Sequence, residues 1–398
     1  MGQPQAHESA WAHVQGAAPF VDDLPEVQGT LYAAPILSPL AHGRLLGVDS
    51  RAAQALPGVR GVVLAADVPG DPVLACLARD EPVFASDILQ YAGQVIGLVV
   101  ADSVAQARRA ARAVQLDLQP LPAVLTIADA MAAQHWAVPP VVLRRGEPEA
   151  ALARAPHRLS GTLQIGGQEH LYLEGQIAYA LPQEQNQWCI YSSTQHPGEV
   201  QHGVASALGL AAHAVRVECR RMGGGFGGKE TQAGPLAVWA AVAAHRLGRP
   251  VKLRLSRADD GRITGKRHPF ECQYTVGFDG AGRIQGLQLQ LASNCGFSAD
   301  LSGPINDRAV FHCDNAYFLG DVEIASYRCK THLQSHTAFR GFGGPQGMLL
   351  METLVGDIAR TLGQDALTVR QRNLYGPAPR NATPYGMQVF DNILPQML

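Results

Sequence analysis

The 398-residue sequence predicts a mixed α/β (α+β) protein, with a small N-terminal α/β domain over 1–140 and a larger mixed α/β domain over 141–398. Three observations carry this expectation. Apolar runs of strand length alternate with stretches of helical periodicity from Gly29 to Val124. A proline-containing passage follows. A glycine-rich loop then occurs twice, each time before a helix-forming segment.

Taken in order, Leu31–Leu37, 62–64 and the apolar run 95–100 read as strands. Asp102 and Ser103 are good helix N-caps, and Val104, Ala107, Ala111 and Val114 recur at intervals of three and four along one helical face. Gln119-Pro120-Leu121-Pro122 and a loop around Pro139-Pro140 mark the domain boundary, and regular structure should resume near Gly146. Beyond it, 157–180, 187–193 and 214–222 read as strands, with a short helix marked by Val200, Val204 and Leu208. The strand 214–222 runs into Gly223-Gly224-Gly225-Phe226-Gly227-Gly228-Lys229-Glu230, and 236–247 is apolar enough for a buried helix. A hairpin is expected over 270–290 around Asp279-Gly280. Arg340-Gly341-Phe342-Gly343-Gly344-Pro345 should open a last helix through Met351, Leu354, Val355, Ile358 and Leu362.

Composition narrows the function. The 32 basic and 34 acidic residues give a net charge of −2, which argues against a general nucleic-acid binder. No run approaches the roughly 18 apolar residues of a membrane helix, and the first 20 residues lack the pattern of a signal peptide, so the expected location is the cytoplasm. Seven scattered cysteines without a C-x-x-C pair exclude a disulfide framework, and also an iron–sulfur or zinc site built by this chain alone. His7-Glu8 with His13 is not H-E-x-x-H, because Trp11 stands where the second His belongs. His332 and His336 read as surface residues, Asp22-Asp23 and Asp259-Asp260 as solvated turns.

The first glycine loop matches two nucleotide-binding patterns only in part. As G-x-G-x-x-G it lacks the acidic residue about 20 positions on that would hold a ribose. As G-x-x-x-x-G-K it places Glu230 where a magnesium-binding Ser or Thr belongs. Five glycines in six positions cost about 0.5–1 kcal/mol each in backbone entropy, more than a plain turn requires. Such a loop can bring backbone N–H groups against an anionic or metal-oxo group with no Cβ in the way. The second loop can do the same, so the pair reads as two sides of a cofactor cleft.

Four segments in order resemble the molybdenum-binding subunit of xanthine dehydrogenases, within the molybdenum hydroxylase and aldehyde oxidase family. They are Gly167-Gln168-Glu169-His170-Leu171-Tyr172-Leu173-Glu174, the run from Met222 through Glu230, Arg308 through Asn315, and Thr337 through Gln346. Tyr91-Ala92-Gly93-Gln94 and Leu121-Pro122-Ala123-Val124 are similar to segments of the family's first domain. The resemblance implies a hammerhead-like first domain and a molybdopterin-binding second one. It also implies a molybdenum–molybdopterin cofactor held by its own dithiolene sulfurs, which agrees with the lack of clustered cysteine ligands.

Carried over by position, the resemblance implies that Gln168, Phe226 and Arg340 lie at the metal, with Gly225, Phe226, Gly227 and Gly341 against the cofactor. Phe342 would pack on a flat heterocycle, while Glu230 and Arg308 would bind its ring nitrogens and carbonyl oxygens. The chemistry suits those residue types, since attack on a ring carbon pushes negative charge into a purine and a guanidinium stabilises it. Aldehyde oxidases generally lack this Glu and Arg pair, so hypoxanthine or xanthine is the implied substrate. Duller roles for the same residues are an Asp307 ion pair for Arg308, strand-edge hydrogen bonds for Gln168 and a core position for Phe342.

The resemblance further implies water as the oxygen source, and iron–sulfur and FAD groups on a partner chain that pass electrons to NAD in a hetero-oligomer. Family members continue into a domain that carries the general base. The sequence ends at Leu398 without a candidate for it, so a longer chain or a second polypeptide is expected to supply that base, and uncovered apolar surface is expected near the cleft. An aldehyde or other N-heterocycle hydroxylase, or a non-catalytic remnant, are the alternatives.

Overall fold

A computed structural model describes residues 2–74 and 76–397, which form two compact units interleaved along the chain. The first comprises the residues up to Leu121 together with Leu171–Ile263, and the second Pro122–His170 with the residues from Thr264 onward. The sequence reading cuts the chain once, after 140. The structure instead lets the chain leave the first unit, return to it and leave again.

The first unit is built on a seven-stranded sheet in the order Val215–Glu218, Trp188–Ser192, Ile177–Pro182, Val251–Arg254, Leu31–Leu37, Val95–Ala101, Val59–Leu64. Leu31–Leu37 runs parallel to Val251–Arg254, so the early and late strands share one ladder. Val95–Ala101 has a neighbour on each side and all of its residues are buried, which explains its unbroken apolar run. The helix Ala233–Leu247 is buried along most of its length, and Trp239 donates its Nε1–H to the Val83 carbonyl at 2.6 Å. Ser103 caps Val104–Ala111 through the Gln106 N–H, as expected.

The second unit carries a five-stranded sheet in the order His157–Ile165, Phe270–Phe278, Ile284–Gly296, Val322–Lys330, Trp136–Arg145. Its core joins Phe270, Phe278, Leu289 and Leu291 to Leu350, Leu354 and Ile358 of the helix Gly344–Leu362. That helix has Pro345 in its first turn and left-handed Gly363 after its end.

Several expectations need correction. Pro139-Pro140 lies inside the strand Trp136–Arg145, not in a loop; it is an edge strand, where a missing N–H is tolerated. The stretch 157–180 is two strands separated by residues 166–176, and the expected strand 214–222 is only Val215–Glu218. Asp260 is not solvated: it is buried, accepting a hydrogen bond from the Tyr172 hydroxyl at 2.9 Å. Asp22 pairs with Lys252 at 3.0 Å and with Arg254 at 2.6 Å. His336 is buried beside His268, with ring centroids 5.8 Å apart, and burial lowers its pKa to about 4. No helix among the described residues is long and apolar enough to cross a membrane.

Candidate functional site

Each unit presents one Gly-Phe-Gly-Gly loop, and the two loops share one backbone. In the first, Phe226 and Gly227 have φ of 55° and 98°, and Gly228 N–H bonds to the Gly225 carbonyl at 2.8 Å. In the second, Phe342 and Gly343 have φ of 49° and 90°, and Gly344 N–H bonds to the Gly341 carbonyl at 3.0 Å. Two consecutive positive φ angles closed by a four-residue hydrogen bond define a type I′ turn. Its first central position is strained for a bulky side chain, yet phenylalanine occupies it both times. The residue four beyond each phenylalanine closes the next bond: Glu230 N–H to Gly227 O at 3.3 Å, and Gln346 N–H to Gly343 O at 3.2 Å.

In the first unit, Gly225, Phe226, Gly227 and Glu230 stand together with a residue that sequence reasoning missed. The Gln195 side-chain oxygen accepts from Gly227 N–H at 2.8 Å and from Lys229 N–H at 3.3 Å. A Cβ on Gly225 would lie 2.5 Å from that oxygen, so only glycine lets the amide reach the turn. With its oxygen committed, the amide nitrogen is the end left to donate. The signal was Ser193-Thr194-Gln195-His196, a polar run at the end of an apolar strand.

Lys229 turns away from the role a nucleotide-loop lysine would have. Its side chain is fully buried, its Nζ donating to the Glu174 carbonyl and to Ser193 Oγ, each at 2.7 Å, with the Glu174 carboxylate at 3.5 Å. Burial pushes its pKa down and the carboxylate pulls it back up. That carboxylate also accepts from Gly223 N–H at 2.8 Å, so one buried pair holds both ends of the loop. Phe226 is 48% exposed, and among the described residues the N–H groups of Gly224, Gly225 and Phe226 find no hydrogen-bond acceptor. Glu230 is half-buried, and among the described residues its carboxylate has no hydrogen-bond or ion-pair partner; burial raises its pKa, and Glu199 adds to the rise.

The second unit brings Gln168, Arg340, Gly341 and Phe342 together, with Arg308 close by. Gln168 lies in the loop after His157–Ile165, and its side-chain oxygen accepts from Arg267 Nε at 2.6 Å. Arg267 also donates to the Arg340 carbonyl at 2.8 Å. Phe342 packs on Leu301, Ile305 and Ala338, while Arg340 and Gly341 are exposed. Arg308 projects from the helix Ser302–Phe311; its Nε lies 3.8 Å from where a Cβ on Gly344 would be. Asp307 does not pair with it, because its carboxylate engages the buried Arg328. Arg308 is exposed, and among the described residues it has no ion partner.

The donor chemistry suits a metal that brings its own ligands. Among the described residues no three His, Cys, Asp or Glu side chains are grouped to hold a metal. What the loops offer is uncommitted backbone N–H groups and side-chain-free surface, which fit an anionic cofactor contacted from outside its coordination sphere.

The chain carries a molybdopterin cofactor-binding domain. Residues 133–374 match the family described as molybdopterin cofactor-binding domain, and residues 15–122 match the aldehyde oxidase and xanthine dehydrogenase a/b hammerhead domain. The chain belongs to the molybdopterin cofactor-binding domain family. It is 42% identical over 376 residues to xanthine dehydrogenase/oxidase of Gallus gallus, covering 94% of this chain and 28% of that protein. Xanthine dehydrogenase of Calliphora vicina is 40% identical over 378 residues, with the same coverage of 94% and 28%. Among solved structures, the aldehyde oxidoreductase of Desulfovibrio gigas superposes with a TM-score of 0.89 at 27% identity, over 98% of this chain and 45% of that one. Quinoline 2-oxidoreductase from Pseudomonas putida 86 gives 0.87 at 26%, over 97% and 52%. The chain therefore spans under a third of the curated relatives it matches.

Proposed function

We propose that this chain is the molybdenum–pterin-binding part of a hydroxylase that oxidises hypoxanthine or xanthine. The observation that carries the reading is the pair of uncommitted side chains at the two turns, Glu230 and Arg308. Each is left without an ion partner beside a glycine surface, in a chain about 40% identical to xanthine dehydrogenases. The bound cofactor supplies the two-electron oxidation, with water as the source of oxygen.

The chain's own residues bind and orient. In the first unit the N–H groups of the turn and the amide nitrogen of Gln195 would donate to oxygens of the cofactor; in the second the amide nitrogen of Gln168 would do so, with Arg340 adding positive charge. Phe342 presents its ring to a flat heterocycle. Glu230, whose raised pKa favours the protonated form more than usual, hydrogen-bonds a ring nitrogen, and Arg308 stabilises the charge that develops on an exocyclic oxygen. A general base, iron–sulfur and FAD relays and the route to NAD come from other parts of the assembly, in the cytoplasm.

In the full-length protein, Glu230→Ala and Arg308→Ala should each lower purine kcat/KM by about 100-fold or more while molybdenum content holds. Unchanged kinetics in both variants would reject their roles. Turnover of an aromatic aldehyde above that of any purine by the unaltered protein would favour the aldehyde-hydroxylase reading.

A further inference from the structure

Beneath the second turn lies a charge that the protein does not balance. Arg267 stands just before the strand Phe270–Phe278 and is only 8% exposed. Its guanidinium carbon sits 3.9 Å from the centroid of the Phe339 ring. Its hydrogen bonds go to neutral acceptors, the Gln168 amide oxygen at 2.6 Å and the Arg340 carbonyl at 2.8 Å. Its Nη1 is buried without a hydrogen-bond partner. Among the described residues no carboxylate forms an ion pair with it, and the adjacent Glu169 is taken by Lys266 at 2.8 Å. Burial lowers the pKa of the two nearby imidazoles, His170 and His268, and Arg267 itself pushes the same way.

A buried cation without a counter-charge is costly, and proteins rarely keep one unless a ligand completes it. A molybdenum–pterin group, with its phosphate and oxo oxygens, is an anion of the required sign. We propose that Arg267 is a positioning residue whose uncompensated charge is balanced by that anionic group, and whose forked donors hold the Gln168 amide with its nitrogen end free to donate. The inference rests on the molybdenum–pterin reading. It predicts that Arg267 burdens the empty protein and favours the loaded one, the reverse of what a purely structural arginine would do.

The test compares full-length protein produced with molybdate and without it. Arg267→Met should lower molybdenum occupancy about 10–100-fold, the range found when a residue supporting a metal's immediate contacts is removed. The thermal midpoint of the molybdenum-free protein should be unchanged or raised by the same substitution. Arg267→Lys keeps the charge and loses the fork, so it should fold and hold molybdenum at an occupancy between that of the parent and that of the methionine variant. Arg267 is only a structural prop if methionine leaves occupancy intact, or if lysine loses as much molybdenum as methionine does. If the unaltered protein from a cofactor-producing cell holds no molybdenum, the functional reading falls and this inference with it; an occupied parent with an indifferent Arg267→Met overturns the inference alone.

Discussion

The first and second Gly-Phe-Gly-Gly turns have the same φ pattern and the same closing hydrogen bonds, but they rest on different foundations. The first is held from beneath by side chains: the buried Lys229 and Glu174, with Gln195 and Gln176 bonding to the loop backbone. The second is held by close backbone approach, since a Cβ on Gly343 would lie 1.9 Å from the Ile305 carbonyl oxygen. Each has a buried cation below it, yet Lys229 has a carboxylate and Arg267 does not. The comparison teaches that a backbone shape can be conserved within one chain while its energetic support is not. It also separates a cation that holds a loop from one left open to a ligand.

The largest expected effect comes from removing the cation of the first turn. Lys229→Met leaves Glu174 buried with no counter-charge, and chemical denaturation should report a loss of about 3–5 kcal/mol, with or without molybdenum. A loss below about 1 kcal/mol would mean that the pair does not support the loop. Set beside the unchanged or raised melting point expected for molybdenum-free Arg267→Met, this is the sharpest contrast between the two regions.

A smaller effect, about 3 kcal/mol, is expected for Gly343→Ala, which combines a positive φ with a clash against backbone that cannot step aside. Gly224→Ala in the first loop should cost distinctly less. There φ is also positive, but the new methyl would meet a carbon of the rotatable Phe226 ring at 3.0 Å and the Tyr172 Cβ at 3.2 Å, both milder than an approach to a backbone oxygen. Equal losses in the two variants would show that the turns are supported alike after all.

The smallest effect is a pH dependence. Burial raises the Glu230 pKa in the folded state, so between its ordinary value of 4.5 and the raised one the folded protein holds more protons than the unfolded chain. Stability contributed by the protonated form is therefore present below that window and declines as pH rises through it. Glu230→Gln, which makes the first turn match Gln346 in the second, should remove the decline and melt slightly higher than the parent at pH 7. At pH 4 the two should coincide. A melting difference independent of pH would exclude titration of Glu230 as its cause.

Much of this was legible where the deciding forces are local. The doubled glycine motif, Pro345 in the first turn of its helix, the Ser103 cap and the buried helix expected over 236–247 follow from φ preferences and periodicity, which act over a few residues. The edge strand through Pro139-Pro140 was not legible. Proline reads as a breaker unless one knows that the strand has a neighbour on only one side. The same holds for Asp260 and His336, polar residues whose burial depends on partners such as Tyr172, 88 residues away in sequence, and His268.

By itself the sequence determined where the backbone must bend without side chains and which segments are apolar. Only the tertiary structure decided what lies behind each turn: that Lys229 faces inward to Glu174, that Gln195 reaches the first loop, and that Arg267 reaches Gln168 across 99 positions of chain. The physical reason is range. Backbone dihedral preferences are settled between neighbours, whereas the burial and pairing of a charge are settled by whatever the fold brings within about 4 Å of it.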